Sequence, residues 1–489
     1  MGATVAVINK SGEDAAEYAV RMLKTLAYRK AEAFGLASPS AVKIEKTVEG
    51  LAASNFNSPS IIGHAFSRIT PADKPQPTKL ENAALVFDGR IYPTRLENSD
   101  AEIFAEKIQN NPVEEARKFM RKANGDFIFI IAQKDRLVAG RDPIGVRPLY
   151  LGENRRVMAL ASERKALWAI GIENAYSFPP GSLLIADKKG FKFLRVKTLR
   201  HTKFSGVIMH FAAEKVTALL QRSVEERVFG LEEVAVAFSG GLDSSLIAFL
   251  AKEAGVDVHL VHVSLKDQPE TEHAMKVAEE LKLPIRVYTY TIDDVKGTLP
   301  KVLWLIEEPD PVKVSIGVPM CWVAEKTWEM GIKVLLAGQG ADELFGGYKR
   351  YAVAYTAHGE ERSEEILFND VLMVHETNLE RDYKICSFHN VELRLPYLNY
   401  KLANFAANLP LKLKIRLPDD GMRKLVLRAA AKKLCLPKAI LERPKRAIQY
   451  AAGVDKALKR LSKNETLSVR DYLKKNFQSV LEKKMVQDG

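Results

Sequence analysis

The spacing of apolar and polar residues changes near residue 200. Before that point, short apolar runs stand between glycine, proline, asparagine and aspartate. Thr4 to Ile8, Leu85 to Phe87, Phe127 to Ala132, Leu137 to Ala139 and Leu183 to Ala186 have strand length and turn-forming neighbours. Ala15 to Ala27 carries a helical pattern. This half is expected to be antiparallel and β-rich, with some helices. From about residue 207 a longer period takes over, with Val207, Phe211, Val216, Leu219 and Leu220 at helical spacing. Strands then alternate with helices. Val234 to Phe238, Val258 to Leu265, Ile285 to Tyr290 and Lys333 to Leu336 read as strands. Leu246 to Ala254, His273 to Leu281 and Met320 to Trp328 read as helices. The alternation predicts an α/β doubly wound parallel sheet, followed from about residue 360 by a mostly helical part. Two domains are expected, 1–200 and 205–489.

Composition narrows the class. A chain of 489 residues is too long for one core. With 47% hydrophobic and 27% charged residues it has the make-up of a globular protein. No apolar run is long enough to span a bilayer. The N-terminus lacks the basic-then-apolar order of a signal peptide. A cytoplasmic location and no membrane partner are expected. Cys321, Cys386 and Cys435 have no metal-site spacing. The net charge of +12 raises nucleic-acid binding as an option. The basic residues are dispersed among glutamates, however, and only Lys456 to Lys484 is dense. They read as solvated helical faces, so nucleic acid is not an expected partner.

The chemistry concentrates at the ends of the expected parallel strands, where ligands of such sheets sit. Phe238 leads into Ser239-Gly240-Gly241-Leu242-Asp243-Ser244-Ser245. A small-residue loop between a strand and a helix lets backbone N–H groups and hydroxyls surround a phosphate. Asp243 sits where a carboxylate holds Mg²⁺ against phosphates. It is not a Walker loop, because no Gly-Lys-Ser/Thr follows. A second loop runs Ala337-Gly338-Gln339-Gly340-Ala341-Asp342-Glu343. Asp243 and Asp342 on neighbouring strand ends would bracket Mg²⁺ and a triphosphate, although Asp342 and Glu343 could instead cap the next helix. Val261 to Ser264, with Val263, offers a wall for an adenine ring.

Ser239 to Ser245 resembles the pyrophosphate loop of the ATP pyrophosphatases. Together with Gly338 to Tyr348 it is similar to the synthetase domain of asparagine synthetases. Val391 to Leu398, containing Glu392 and Arg394, is similar to that family's E-x-R-x-P-[FY]-L-D string, and Arg443-Pro444-Lys445, preceded by Lys424 and Arg428, to its R-x-K. The resemblance implies an ATP- and Mg²⁺-dependent ligase. It would activate a carboxylate, most simply aspartate, as an acyl-adenylate, release pyrophosphate and add ammonia. Phe238 to Ser245, Val263, Ala337 and Gly338 would bind ATP and pyrophosphate. Asp243 and Asp342 would hold the metal, and Lys445 would supply charge unless it is a plain surface lysine. Glu392 and Arg394 would serve the substrate. Small molecules are the implied partners, with a homodimer and a separate ammonia-supplying protein as further options. Two departures stand out. Gln339 replaces a glutamate that many asparagine synthetases carry, and glutamine cannot be a general base. Asn399 replaces an aspartate. Gln339 and the segment Pro309 to Ser315, expected as a loop on the acyl side of the pocket, keep a different acyl or amine substrate open, as in relatives that close β-lactam rings. A non-catalytic nucleotide-binding protein is the third reading.

Residues 83–163 resemble the family's glutaminase half, an Ntn-hydrolase-like α+β fold with an N-terminal nucleophile. Leu85 to Tyr92 is similar to a string ending FNGEIYN, Ser99-Asp100 to a Ser-Asp pair, and Gly140 to Tyr150 to the signature containing GRDPIGVRPLY. That chemistry needs a cysteine at position two, whose thiol attacks the glutamine amide. Here position two is Gly2, and no cysteine precedes Cys321. The family's arginine for the substrate carboxylate falls near Phe66, with Arg68 close by. Its oxyanion asparagine is Asp88, whose charge would repel a developing oxyanion. Asp100 and Gly89 remain as residues for the glutamine amine. The expectation is a glutaminase domain without glutaminase chemistry.

Overall fold

The computed structural model describes residues 2–488 except 30, 53–55, 95–96, 110, 203, 205, 418–420 and 445–451. The chain divides into two compact units, 1–198 and 199–489.

In the central strands of the first unit successive side chains point to opposite faces of the sheet, and both faces are buried. Ala3, Val5 and Val7 pack with helix Ala16–Leu26, while Ala6 and Ile8 point the other way. Among the described residues there are two antiparallel sheets. The seven-stranded one has Gly2–Asn9 at its centre, between Val157–Ala161 and Ser60–Phe66. The six-stranded one has Gly125–Gln133 between Ala84–Ile91 and Arg136–Arg141. Ala6, Ile8 and Ile62 of one meet Val86, Ile128 and Ile130 of the other. The outer face of the six-stranded sheet is closed by Phe104 and Phe119 of helices Asp100–Lys107 and Pro112–Lys122, which pack on Phe87, Phe127 and Phe129. The result is helix, sheet, sheet, helix, the layering expected of an Ntn-type domain.

The second unit holds a five-stranded sheet in the order Ile285–Tyr290, Asp257–Leu265, Glu233–Ala237, Val334–Leu336, Glu392–Arg394. Every pair is parallel. The order reverses at Glu233–Ala237, so the crevice between that strand and Val334–Leu336 is the topological switch point. The remainder is mostly helical.

Two expectations need correction. The first helix after the serine-glycine loop begins at Leu242, not Leu246, and runs to Glu253. Asp243, Ser244 and Ser245 therefore form its first turn, because Gly241 in extended conformation already serves as its cap. The segment Pro309 to Ser315 is mostly not a loop. Helix Pro311–Glu329 starts there, with Asp310 accepting from the Lys313 N–H at 2.8 Å and Pro311 in the first turn, where a missing N–H costs nothing. The helix expected at Met320 to Trp328 is its second half.

Candidate active site

The Ser-Gly-Gly turn is built by close packing. Gly240 has φ +67°, and a Cβ there would lie 2.9 Å from Ala274 Cα, so only glycine fits. His273 Nε2 meets Gly240 O at 3.0 Å and His262 Nδ1 meets Phe238 O at 2.9 Å, while the N–H groups of Ser239 and Gly241 donate to the hydroxyls of Ser244 and Ser239 at 3.3 Å. Ser239 and Ser244 hydroxyls lie 3.3 Å apart. Val263, next to His262, is buried in its strand. The second loop lies against the first: a Cβ on Gly338 would be 3.1 Å from Asp243 Cβ. Gly340 takes φ +89°, which opens helix Ala341–Phe345 and places Asp342 in its first turn. Tyr397 OH donates to Asp243 O at 3.1 Å and fastens the turn from below.

The two carboxylates meet on one cation. Lys424 Nζ lies 2.5 Å from Asp243 Oδ2 and 2.7 Å from Asp342 Oδ1. Lys424 is buried and has φ +64°, a left-handed conformation at the head of helix Leu425–Lys433. The glycine at 347 admits it, since any Cβ there would overlap Asp342 Oδ1 and Lys424 Cε. Burial and the neighbouring Asp342 together push the Glu343 carboxyl above its ordinary range. Tyr348 OH and Asn378 Nδ2 donate to Glu343 at 2.7 and 2.8 Å.

The pair suits a hard cation. Among the described residues no group of three or more His, Cys, Asp or Glu side chains could hold a metal ion. Mg²⁺ commonly takes one or two carboxylates and completes its shell with water and substrate phosphates, so Asp243 and Asp342 fit it.

The other expected site residues separate. Gln339 is half-buried and its Nε2 donates to Asp382 Oδ2 at 2.9 Å. Asp382 was not legible as a site residue, because only the fold brings it to Gln339. Glu392 and Arg394 do not open onto the crevice. They are buried and paired at 2.6 Å, and Arg394 also reaches Arg227 O. They fasten the edge strand from inside, with Arg394 NH2 buried and without a hydrogen-bond partner among the described residues, which corrects the substrate role expected for them. Asn399 caps helix Tyr400–Ala407, accepting from Lys401 and Leu402 N–H groups. Lys445 lies outside the described residues. The approach to it is held by Arg428, which donates to the backbone oxygens of Arg423 at 2.8 Å, Leu441 at 2.5 Å and Arg443 at 2.8 Å.

In the first unit, Gly2 lies in a strand with its N–H donating to Asp88 Oδ1 at 3.1 Å. A Cβ at Gly2 would overlap His64 Nε2 and Ala65 O. The place where a nucleophile's side chain would begin is thus filled by a buried imidazole. Neither His64 nitrogen has a hydrogen-bond partner among the described residues. Burial holds its pKa down at about 4, against the opposing pull of Asp88. Gly89, with φ +150°, is required by the approach of Asp126 O and Phe127. Asp100 does not offer its carboxylate to a ligand amine: Oδ1 accepts from Ile91 N–H at 2.9 Å and Oδ2 lies 3.2 Å from Arg90 NH1. Arg90 also forks onto Asp73 at 2.6 and 2.9 Å. An arginine in this motif has neutralised the site from within, which corrects the expectation for Asp100. The cavity among His64, Asp88, Arg90 and Asp100 has a volume of about 20 Å³, room for a water molecule and not for glutamine. Arg68 is on the surface, donating to Asp73 O at 2.9 Å.

A family model described as asparagine synthase matches residues 215–363 and 353–486, and one described as a glutamine amidotransferase domain matches 65–169. A Methanocaldococcus jannaschii chain provisionally named glutamine-hydrolyzing asparagine synthetase 1 is 29% identical over 557 aligned positions, covering 99% of each chain. Glutamine-hydrolyzing asparagine synthetase 2 of Arabidopsis thaliana is 28% identical, covering 79% of this chain and 69% of its own. Among solved structures, the allosteric regulatory enzyme of purine biosynthesis aligns at 15% identity over 58% of this chain and 80% of that one, with a TM-score of 0.36.

Proposed function

This chain belongs to the asparagine synthase family, and on that footing we propose that it is an ATP-dependent amide ligase. It joins aspartate to ammonia by way of an acyl-adenylate and gives asparagine, AMP and pyrophosphate. The observation that carries the reading is the meeting of Asp243 and Asp342 on one buried ammonium at the switch point of the parallel sheet. Two carboxylates that share a cation beside a Ser-Gly-Gly turn and a helix N-terminus form a receptor for a triphosphate and its metal.

In this reading the N–H groups from Ser239 to Leu242 and the hydroxyls of Ser239 and Ser244 receive the β- and γ-phosphates. Phe238, Val263, Ala337 and Gly338 line the nucleotide side. Asp243 and Asp342 hold Mg²⁺, which when bound offsets the charge that builds on the leaving pyrophosphate. Lys424, which here pairs with both carboxylates, would turn its ammonium to a phosphate oxygen when they hold the metal. Lys445 adds a second positive charge, and Arg428 holds the backbone that leads to it. The aspartate carboxylate attacks the α-phosphorus, and ammonia then displaces AMP from the acyl carbon.

The nitrogen comes from free ammonia or another amine rather than from glutamine hydrolysed by the first unit. A side chain at position 2 has no space, the oxyanion position carries Asp88, and the cavity is too small for glutamine.

The test is pyrophosphate release by the purified chain with ATP, Mg²⁺ and aspartate, comparing ammonium, glutamine and no donor, with asparagine assayed in parallel. Asparagine from ammonium alone is the expected result. Equal use of glutamine would overturn the glutaminase-inactive reading. ATP/pyrophosphate exchange with another acid, and none with aspartate, would move the activity to another acyl substrate. No exchange with any acid would sink the ligase reading and leave a nucleotide-binding protein.

A further inference from the structure

A glutamine side chain has an oxygen that accepts hydrogen bonds and a nitrogen that donates them, and its neighbours decide which points where. The neighbour of Gln339 is a carboxylate, which only accepts. Asp382 is fully buried and held on two sides: Arg381 Nε donates to Oδ1 at 2.7 Å and Arg381 NH2 to Oδ2 at 2.9 Å. Gln339 must therefore offer its NH2 to Asp382, at 2.9 Å, and turn its oxygen away. Among the described residues, no hydrogen-bond donor reaches that oxygen.

A second tie fixes the same pair of elements. Asn378 Nδ2 donates to Glu343 Oε1 at 2.8 Å. Residues 378 and 382, four apart, thus hold residues 339 and 343, also four apart. A π-helical turn, His375–Leu379, leads directly into helix Glu380–Phe388, and such turns re-aim side chains. The arrangement also gives a physical reason for glutamine at 339. Glutamate would put two carboxylates about 3 Å apart, and one of them would have to keep a proton.

Resting on the amide-ligase reading, we propose that Asp382, braced by Arg381, is a positioning residue. It locks Gln339 with its carbonyl oxygen toward the incoming nitrogen. The chain then offers its nucleophile a hydrogen-bond acceptor where a base would otherwise stand. An N–H of neutral ammonia is held by that oxygen, which leaves the nitrogen lone pair facing the acyl carbon. The C–N bond forms, the acyl C–O bond to AMP breaks, AMP keeps the electron pair, and the surplus proton passes to solvent. The opposite amide orientation would donate an N–H to the ammonia lone pair and oppose attack.

Three variants of the whole chain test this, each read by KM for ammonium and by ATP/pyrophosphate exchange. In D382N the single oxygen left at 382 no longer serves Arg381 at both positions and Gln339 as well, so the Gln339 amide loses its fixed orientation. KM for ammonium should then rise, by up to about tenfold, beyond any change in exchange, the size of one lost hydrogen bond. In D382N/Q339E the carboxylate at 339 accepts from the amide at 382 and again presents an oxygen to the nitrogen, so KM should return to within about threefold of the parent. Q339L keeps the Arg381–Asp382 pair, removes the acceptor outright and should raise KM at least as far as D382N. Equal losses in exchange and in ammonium use by D382N would overturn the proposal, as would a double variant with intact exchange and no recovery. If D382N does not fold, Q339L decides: an unchanged KM refutes the role of Gln339. A parent chain that shows no exchange with any acid fails the ligase reading itself, before these variants are compared.

Discussion

At the scale of single residues, Lys424 explains how two aspartates can lie together before a metal arrives. Without a cation between them the two carboxylates would repel. The lysine supplies that charge at 2.5 and 2.7 Å. D243N and D342N should each lower ATP/pyrophosphate exchange on the order of 10²-fold, measured at saturating aspartate. Gly2 makes the opposite point. Its missing side chain is not a vacancy that cysteine could refill, because His64 stands there. G2C should therefore leave glutamine unhydrolysed and destabilise the first unit by about 1–3 kcal/mol, read by chemical denaturation, as overpacked cores do. The pairing of Asp243 with Asp342 was legible in the sequence because each follows closely on a strand end. Asp382 was not legible, since nothing within its own segment marks it. Lys424 could be read only as a neighbour of the Arg443-Pro444-Lys445 motif.

Elements carry the next set of consequences. Strand Ser60–Phe66 places His64 between Gly2 and Asp88, where burial holds the imidazole neutral with a pKa of about 4. The unfolded chain would protonate it near the ordinary value of about 6.5. The folded state thus binds fewer protons between these values, so this contribution to stability is present above pH 6.5 and is lost as pH falls toward 4. Its full size is about 3 kcal/mol. Asp142, pushed up to about 6 by burial and then by Asp126, works in the opposite direction over much of the same range. The measurement is therefore a difference. H64Q should flatten the loss of stability between pH 6.5 and 4 relative to the parent chain, and an unchanged difference across that range would refute the role. In the second unit, helix Leu425–Lys433 presents Arg428 to three backbone oxygens on the path to Lys445. R428A should reduce exchange about tenfold, mainly through KM for ATP, if that segment serves the phosphates. The sequence pattern found the strands well, because period-two alternation and apolar runs are local signals. It missed the start of helix Pro311–Glu329, where Pro309, Asp310 and Pro311 read as a loop although Asp310 caps and Pro311 opens the helix.

At the scale of the whole molecule, one chain joins a family synthetase unit to an amidotransferase-like unit whose pocket is filled by its own side chains. With ammonium as donor, asparagine should form at a rate that added glutamine does not change, measured by asparagine accumulation. Among the described residues no helix is long and apolar enough to cross a membrane. By itself the sequence determined the change of fold near residue 200, the two strand-end loops and the loss of the cysteine nucleophile. Each of these is written in consecutive residues, as periodicity, glycine placement or the absence of a thiol. Only the tertiary structure decided which charges meet. Lys424 lies 181 positions from Asp243, and Asp382 lies 43 from Gln339. Arg90 closes on Asp73 and Asp100, while Glu392 and Arg394 turn to each other inside the sheet edge. Ionic and hydrogen-bonded contacts act over a few ångströms in space, and chain distance carries no trace of them until the core has folded.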